Sequence, residues 1–195
     1  MSAKFSKTTA DYLPWESSMN LIRNLYNDGN YKMSLLIAMG SFWGLRISDL
    51  LSLKWEQVYN KYDFQIVEKK TKKTREIKIN PQLKKHIDDC YQKIKPKTLN
   101  EFVFTSQKGS VYSIQRINVI FKDMKSKYNL KIKNYSTQSI RKCFGREIFN
   151  RSGSNAELSL VRLSQLFNHS SPSITRRYLG IAKEELMETY NILSF

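Results

Sequence analysis

Four side chains of this sequence could act together on a charged substrate, namely those of Arg46, Arg141, His169 and Tyr178. A tyrosine hydroxyl can act as a nucleophile, an arginine fork matches two phosphate oxygens, and an imidazole can donate a ring N–H. The segments that carry them are, in chain order, GLRISDLLSL (44–53), TQSIRKCFG (137–145) and LFNHSSPSITRRY (166–178). The set suits phosphoryl transfer, in which fixed positive donors meet the charge that develops on the non-bridging oxygens.

A fourth segment is the cationic run EKKTKKTREIKI (68–79). Taken singly, each candidate has an ordinary structural explanation: Arg46 could pair with Asp49, and Tyr178 could be a core aromatic. In this order and at these spacings, however, the four segments resemble the catalytic domain of the tyrosine recombinases, the phage-integrase family. The resemblance extends from about residue 12 to the end of the chain.

The resemblance implies a role for each of the four side chains. Tyr178 would attack the phosphorus of a DNA strand and form a 3′-phosphotyrosine link, which conserves the energy of the broken bond without ATP or a metal. Arg46 and Arg141 would clamp the scissile phosphate, and His169 would be its third ligand. The implied function is site-specific DNA strand cleavage and rejoining, as in recombination or integration.

The leaving 5′-oxygen is a poor alkoxide, so the reaction needs a general acid. By resemblance, Lys70 fills this role, with Lys69, Lys72 and Lys73 as the alternatives within the run. A lysine with an ordinary pKa near 10.4 stays charged and can donate a proton. Asp49 matches an acidic position of the family and is expected to orient the cations of the site.

Gln138 is a departure from the family pattern, which has a histidine at this position. A glutamine amide can donate a hydrogen bond to phosphate but cannot titrate near neutral pH. We therefore expect a slower site, and a non-catalytic or weakly active DNA-binding relative stays open as an alternative. A type IB topoisomerase, which shares the chemistry, is the less favoured second alternative because the spacings and the size resemble an integrase.

The partner implied by the charge is double-stranded DNA. The chain has 33 Lys and Arg against 17 Asp and Glu, a net charge of +16, which a polyanion would offset. The residues that we expect to contact DNA outside the reaction centre are Lys69, Lys72, Lys73, Arg75, Lys142 and Arg176. On DNA the resemblance implies a homo-oligomer, a tetramer.

The elements that must position these residues are predicted to form an α+β fold that is mostly α, a helical body with a small antiparallel sheet at one edge. Residues 63–68 and 75–79 read as a hairpin, and residues 101–106 as a further short strand. Residues 1–11 are expected to be a flexible segment, with one catalytic domain over residues 12–195. Members of the family usually carry a helical core-binding domain before this one, and both an excised catalytic domain and a naturally solitary one fit the sequence.

Helix boundaries are predicted from caps and apolar periodicity. Helices are expected from Pro14 to Asn27, from Tyr31 to about Met39, from Arg46 to Leu53, and after the caps at Asn80, Ser113, Ser154 with Glu157, and Ser171. The last helix places Leu186, Tyr190 and Leu193 on one stripe. That stripe could dock on a neighbouring protomer or pack on its own core.

Other functional classes find little support in the sequence. The longest apolar run, residues 35–45, is too short to span a membrane and is interrupted by Gly40, Ser41 and Gly44. The two cysteines lie in helical patterns and suggest a reducing cytosol, and they form no metal-binding spacing with histidine. We expect a cytoplasmic protein with no cofactor and no metal.

Overall fold

The computed structural model describes residues 9–192, which form a mostly helical α+β fold with one two-stranded antiparallel sheet. The helices are α1 (Trp15–Asn27), α2 (Tyr31–Trp43), α3 (Ile47–Leu50), α4 (Trp55–Val58), α5 (Pro81–Ile94), α6 (Ile114–Lys127), α7 (Thr137–Arg151), α8 (Ala156–Phe167), α9 (Pro172–Leu179) and α10 (Ile181–Glu188). The strands are β1 (Asp63–Val67) and β2 (Thr74–Lys78), and short 3-10 turns cover Gly153–Asn155 and Thr189–Ile192. The predicted fold class is confirmed.

Helix α2 lies at the centre of the body because it is apolar on every side. Helices α1, α5 and α7 all pack against it, and its residues Leu35, Leu36 and Ile37 are fully buried. Gly40 allows the close approach of α7, since a Cβ at this position would lie 2.3 Å from Cδ1 of Ile140. The helix is one turn longer than predicted and ends at Gly44, whose φ of 58° turns the chain toward Arg46.

The hairpin packs on this body through one face. Phe64, Ile66 and Ile77 are buried, and the ring of Phe64 meets that of Trp43 edge to face at 4.9 Å. Asp63 pairs with Lys78 and Val67 with Thr74, so the connection is the turn of residues 68–73, called the lysine turn below. A two-stranded hairpin is marginal alone, and this packing therefore determines where the lysine turn lies.

A second apolar cluster carries the end of the chain that holds Tyr178. Leu160, Leu163 and Phe167 of α8 pack with Leu179 and Ile181, all of them buried. Ser171 accepts a hydrogen bond from the Ile174 amide and begins α9 as predicted. Gly180, with a φ of 82°, ends that helix.

Three local predictions are wrong or incomplete. Residues 101–106 do not form a strand. Within the described residues they make only two isolated β-bridges, Lys54 with Phe102 and Thr105 with Val111. Ser154 lies in a 3-10 turn and does not cap α8, since Glu157 is paired with Arg176 instead. The helix expected from Arg46 to Leu53 is short, and α4 was not predicted.

Residues 1–8 of the expected flexible segment, and Leu193 of the expected apolar stripe, lie outside the described residues. Within residues 9–192, the Asp11 amide donates to the Asn134 carbonyl, so the chain is held to the body before α1 begins. None of the helices in this range is long and apolar enough to cross a membrane.

Candidate active site

Arg46 caps α3 directly after the left-handed turn at Gly44. Its Nη1 donates to Oε2 of Glu68 at 2.8 Å, and its Nη2 donates to the carbonyl of Phe167 at 2.9 Å. The guanidinium is thus held between the lysine turn and the C-terminus of α8. Because a helix C-terminus carries partial negative charge, this arrangement favours the cation.

Arg141, in α7, donates to the same carbonyl as Arg46. It is buried in α7, and it donates from Nη1 to the Gly44 carbonyl at 2.7 Å and from Nη2 to the Phe167 carbonyl at 3.2 Å. Its guanidinium also lies 4.3 Å from the ring centre of Phe167. Burial lowers the pKa of Arg141 to about 10, which leaves it protonated at neutral pH. The two arginines, far apart in sequence, therefore meet at one acceptor atom.

His169 follows α8 and faces Tyr178. Its Nδ1 lies 2.9 Å from Oγ1 of Thr175 in α9, and its ring meets that of Tyr178 edge to face at 5.2 Å. Burial lowers the pKa of His169 below its ordinary value, and the charges of Arg141, Arg46 and Lys70 lower it further. The imidazole is accordingly neutral at pH 7 and can donate one ring N–H.

Tyr178 lies half-buried in α9 against the rings of Phe167 and His169. Burial raises the pKa of its phenol, although Arg141 and Arg46 oppose that shift. The amino group of Lys142 stands 5.0 Å from the ring centre. Tyr178 is thus a protonated phenol at neutral pH, surrounded by cations that would favour the phenolate as it forms.

These side chains line one cleft of about 1180 Å³. The six predicted catalytic residues all lie on its wall: Arg46, Lys70, Gln138, Arg141, His169 and Tyr178. Lys70 is exposed in the lysine turn, and Gln138 is exposed in the first turn of α7. Among residues 9–192, no group of three or more His, Cys, Asp or Glu side chains could hold a metal ion.

Asp49 is fully buried beside the cleft, but its carboxylate binds a backbone amide and not a cationic side chain. Its Oδ1 accepts a hydrogen bond from the Lys69 amide at 2.9 Å. The expected orientation of cations by Asp49 is therefore indirect, since it holds the lysine turn next to Lys70.

Three of the residues that were expected to contact DNA have partners within the protein, and their contact with DNA stays a prediction. Arg75 donates to the Trp43 carbonyl at 2.7 Å, and Lys142 donates to the Ala10 carbonyl at 2.7 Å. Arg176 is paired with Glu157 and Glu185. Their positions within helices or strands gave no sign of these partners.

Lys69, Lys72 and Lys73 are exposed in the lysine turn and are available to a phosphate backbone. Lys122, Lys125 and Lys133 also line the cleft, and the sequence analysis did not select them. Lys122 and Lys125 could have been found from the helical periodicity of α6, because they lie away from the buried stripe of Ile117, Phe121 and Met124.

Glu68 is a further residue that the sequence analysis missed. It is fully buried, and its carboxylate binds Arg46. The signal was present in the sequence, since it is the one acidic residue that opens the cationic run 68–73.

Known proteins resemble this chain in both sequence and structure. Residues 18–185 match the family described as the phage integrase family. The probable integrase/recombinase YoeC of Bacillus subtilis (strain 168) is 34% identical over 165 residues, which cover 84% of this chain and 85% of that protein.

Three solved structures share the fold. That of XerA recombinase aligns with a TM-score of 0.71 and 18% identity, over 96% of this chain and 67% of the other. A structure of the Tn1549 transposon integrase in complex with transposon right end DNA aligns with a TM-score of 0.68 and 18% identity, over 93% of this chain and 67% of the other. A structure of XerH site-specific recombinase bound to palindromic difH substrate aligns with a TM-score of 0.69 and 18% identity, over 96% of this chain and 54% of the other. At such identities these likenesses concern the fold alone.

Proposed function

This chain belongs to the phage integrase family, and on that premise we propose that it cleaves and rejoins DNA strands at specific sites through a 3′-phosphotyrosine intermediate. The observation that carries the proposal is that Arg46 and Arg141 both donate to the carbonyl of Phe167. The ring of the same residue packs against Tyr178. Two guanidinium groups beside a hydroxyl nucleophile are suited to a phosphodiester whose charge grows in the transition state.

In the proposed step, Oη of Tyr178 forms a bond to phosphorus while the bond from phosphorus to the 5′-oxygen breaks. The phenol proton passes to water, and Lys70 gives a proton to the leaving oxygen. Arg46, Arg141 and the ring N–H of His169 hold the non-bridging oxygens. Rejoining is the reverse, with the 5′-hydroxyl of a strand as nucleophile.

DNA is proposed to lie along the cleft, between the lysine turn on one side and Lys122 and Lys125 of α6 on the other. Both walls are cationic and exposed or half-exposed. Salt would then weaken binding steeply, because each neutralised phosphate releases counterions.

We expect the double substitution Lys72→Gln/Lys73→Gln to flatten the dependence of DNA affinity on salt. The plot of log affinity against log salt should lose about one unit of slope per lost phosphate contact. Fluorescence anisotropy with a labelled duplex over a salt series measures this slope.

The matched control for this pair is Lys61→Gln/Lys78→Gln. These residues are also exposed lysines at the hairpin, but they lie at its other end, away from the lysine turn. Equal slopes for the wild type and the Lys72/Lys73 variant would show that the lysine turn does not touch the DNA backbone.

Gln138 is expected to slow the reaction without stopping it. Its amide can donate to phosphate from the first turn of α7, but it cannot accept the proton of Tyr178. Gln138→His should raise the single-turnover rate of adduct formation, by up to about 10²-fold if the new group is fully used, and most near neutral pH. Gln138→Ala should lower the rate.

Rapid-quench measurement of the covalent adduct over a pH series tests this pair of substitutions. Unchanged rates in both variants would mean that position 138 does not contact the reacting phosphate. A non-catalytic DNA-binding protein, the alternative that Gln138 favours, would form no adduct in any variant.

The proposed active form is a homo-oligomer on DNA, and α10 supplies its contact. Glu184 pairs with Arg146 at 2.6 Å and Glu185 pairs with Arg176, so α10 is tied to its own body by polar groups. Ile181 at its start is buried, but the apolar side chains that follow point away: Leu186 is 63% exposed, and Tyr190, in the 3-10 turn after the helix, is 73% exposed. Within residues 9–192 the stripe is therefore not packed on its own core.

We expect Leu186→Ser/Tyr190→Ser to leave binding to a single site unchanged and to reduce complexes that pair two sites. Gel-shift assays with one-site and two-site duplexes separate these effects. The control pair Lys183→Ser/Glu188→Ser changes polar residues of the same helix. Normal pairing of sites by the Leu186/Tyr190 variant would contradict assembly through this stripe.

A further inference from the structure

Glu68 is a fully buried carboxylate that the proposed mechanism does not use. It directly follows β1 and opens the lysine turn. Its atom Oε2 accepts three hydrogen bonds, from Nη1 of Arg46 at 2.8 Å, from Oγ1 of Thr71 at 2.8 Å and from Nδ2 of Asn168 at 2.9 Å. Three separate parts of the chain thus meet at one oxygen atom.

Each of these three donors is tied to a residue of the proposed reaction. Arg46 is itself a phosphate ligand, Thr71 is the sequence neighbour of Lys70, and Asn168 is the neighbour of His169. Asn168 ends α8 in the left-handed conformation, with a φ of 53°. Its side chain therefore restrains the point at which the chain turns toward His169.

The charge of Glu68 matters because cations surround it. Nη1 of Arg75 stands 3.9 Å from its other oxygen, Oε1, and Arg46 pairs with Oε2. Burial by itself would raise the pKa of Glu68, but the Thr71 hydrogen bond and the Arg46 guanidinium outweigh it and hold the pKa below its ordinary value. Glu68 is thus ionised at neutral pH and separates two guanidinium groups that would otherwise repel each other.

We propose that Glu68 is a positioning residue, which sets the direction of Arg46 and holds the segments of Lys70 and His169 around the reacting phosphate. This inference rests on the proposed function. The Arg46 guanidinium donates from Nη1 to Glu68 and from Nη2 to the Phe167 carbonyl. Its remaining N–H groups are therefore already held in the direction of the phosphate before DNA binds. Such preorganisation lowers the barrier, because no donor has to turn toward the phosphate during the reaction.

Glu68→Gln is the central test. Glutamine has nearly the same shape, but it lacks the charge, and its amide NH₂ would face either Arg46 or Arg75. The rate of adduct formation at saturating DNA should fall by about 10²-fold, the scale for a small misplacement of catalytic groups, while the DNA dissociation constant changes little. The control Glu76→Gln removes an exposed charge from the same hairpin and should react like the wild type.

A second readout does not depend on activity. In ¹⁵N-labelled protein without DNA, Glu68→Gln should shift the side-chain amide signals of Asn168 and the guanidinium signals of Arg46, and Glu76→Gln should not. Unchanged signals for both groups in Glu68→Gln would overturn the proposal. If the wild type formed no adduct but these signals moved, the proposed function would fail while the positioning role stood.

Two milder variants decide the matter if Glu68→Gln does not fold. Thr71→Val removes one donor with little change of shape, and Asn168→Gly removes another at a φ that glycine accepts. Each should slow adduct formation by about tenfold, since each loses one hydrogen bond to a charged group. Wild-type rates in both folded variants would show that Glu68 does not act through these segments.

Discussion

Tyr178→Phe is expected to abolish covalent capture of DNA and to leave DNA binding intact. The substitution removes only the hydroxyl, while the ring keeps its edge-to-face packing on Phe167 and His169. The cationic walls of the cleft are untouched, so the affinity for DNA should persist. A duplex nicked near the cleavage point traps the adduct, because the short strand released by cleavage diffuses away.

The measurement is a protein–DNA adduct that survives denaturing electrophoresis. Tyr62→Phe is the matched control, since Tyr62 is 74% exposed at the end of the hairpin opposite the lysine turn and should leave the adduct unchanged. An adduct in Tyr178→Phe would identify another nucleophile. Its absence from the wild type would favour the DNA-binding alternative, and relaxed rather than recombined products would favour a topoisomerase.

Arg141→Lys is expected to slow adduct formation by about 10²- to 10³-fold, the usual loss on removal of one preorganised donor. Lysine keeps a charge but cannot bind the Gly44 and Phe167 carbonyls with two arms while facing the phosphate. Burial would also favour its neutral form. Of the two carbonyls, one would lose its buried donor, so stability should fall by about 1–3 kcal/mol.

Single-turnover kinetics and thermal unfolding measure the two effects of Arg141→Lys separately. Arg151→Lys is the matched control on the same helix, because Arg151 is 70% exposed and contacts Glu147 and the Trp15 ring, neither of which lines the cleft. Slow cleavage with normal stability would place the loss in the reaction itself. Normal cleavage by Arg141→Lys would remove this residue from the phosphate clamp.

The helix boundaries that the sequence predicts correctly are those made by neighbouring residues. The caps Asn80, Ser113 and Ser171 each accept a hydrogen bond from an amide two or three residues later. Ser154 was predicted by the same rule and fails, because Glu157 is drawn to Arg176 in α9. A local pattern is reliable only where no distant partner competes for the same side chain.

Membership of the site is likewise predictable from residue types. Arg46, Arg141, His169 and Tyr178 belong to the segments that carry the family resemblance, because the proposed chemistry restricts which side chains can serve. The structure brings these residues to one cleft, which is the arrangement that their proposed roles require. Their roles in the reaction stay predictions.

The sequence by itself determined the family, the mostly helical class and the set of residues suited to phosphoryl transfer. Only the tertiary structure decided which charges are used inside the protein: Lys142 on the Ala10 carbonyl, Arg176 between two glutamates, and Glu68 beneath Arg46. The reason is physical. Residue type and local spacing can be read directly from the sequence. Burial and ion pairing instead depend on which distant segments the packing of α2, α7 and α8 brings together.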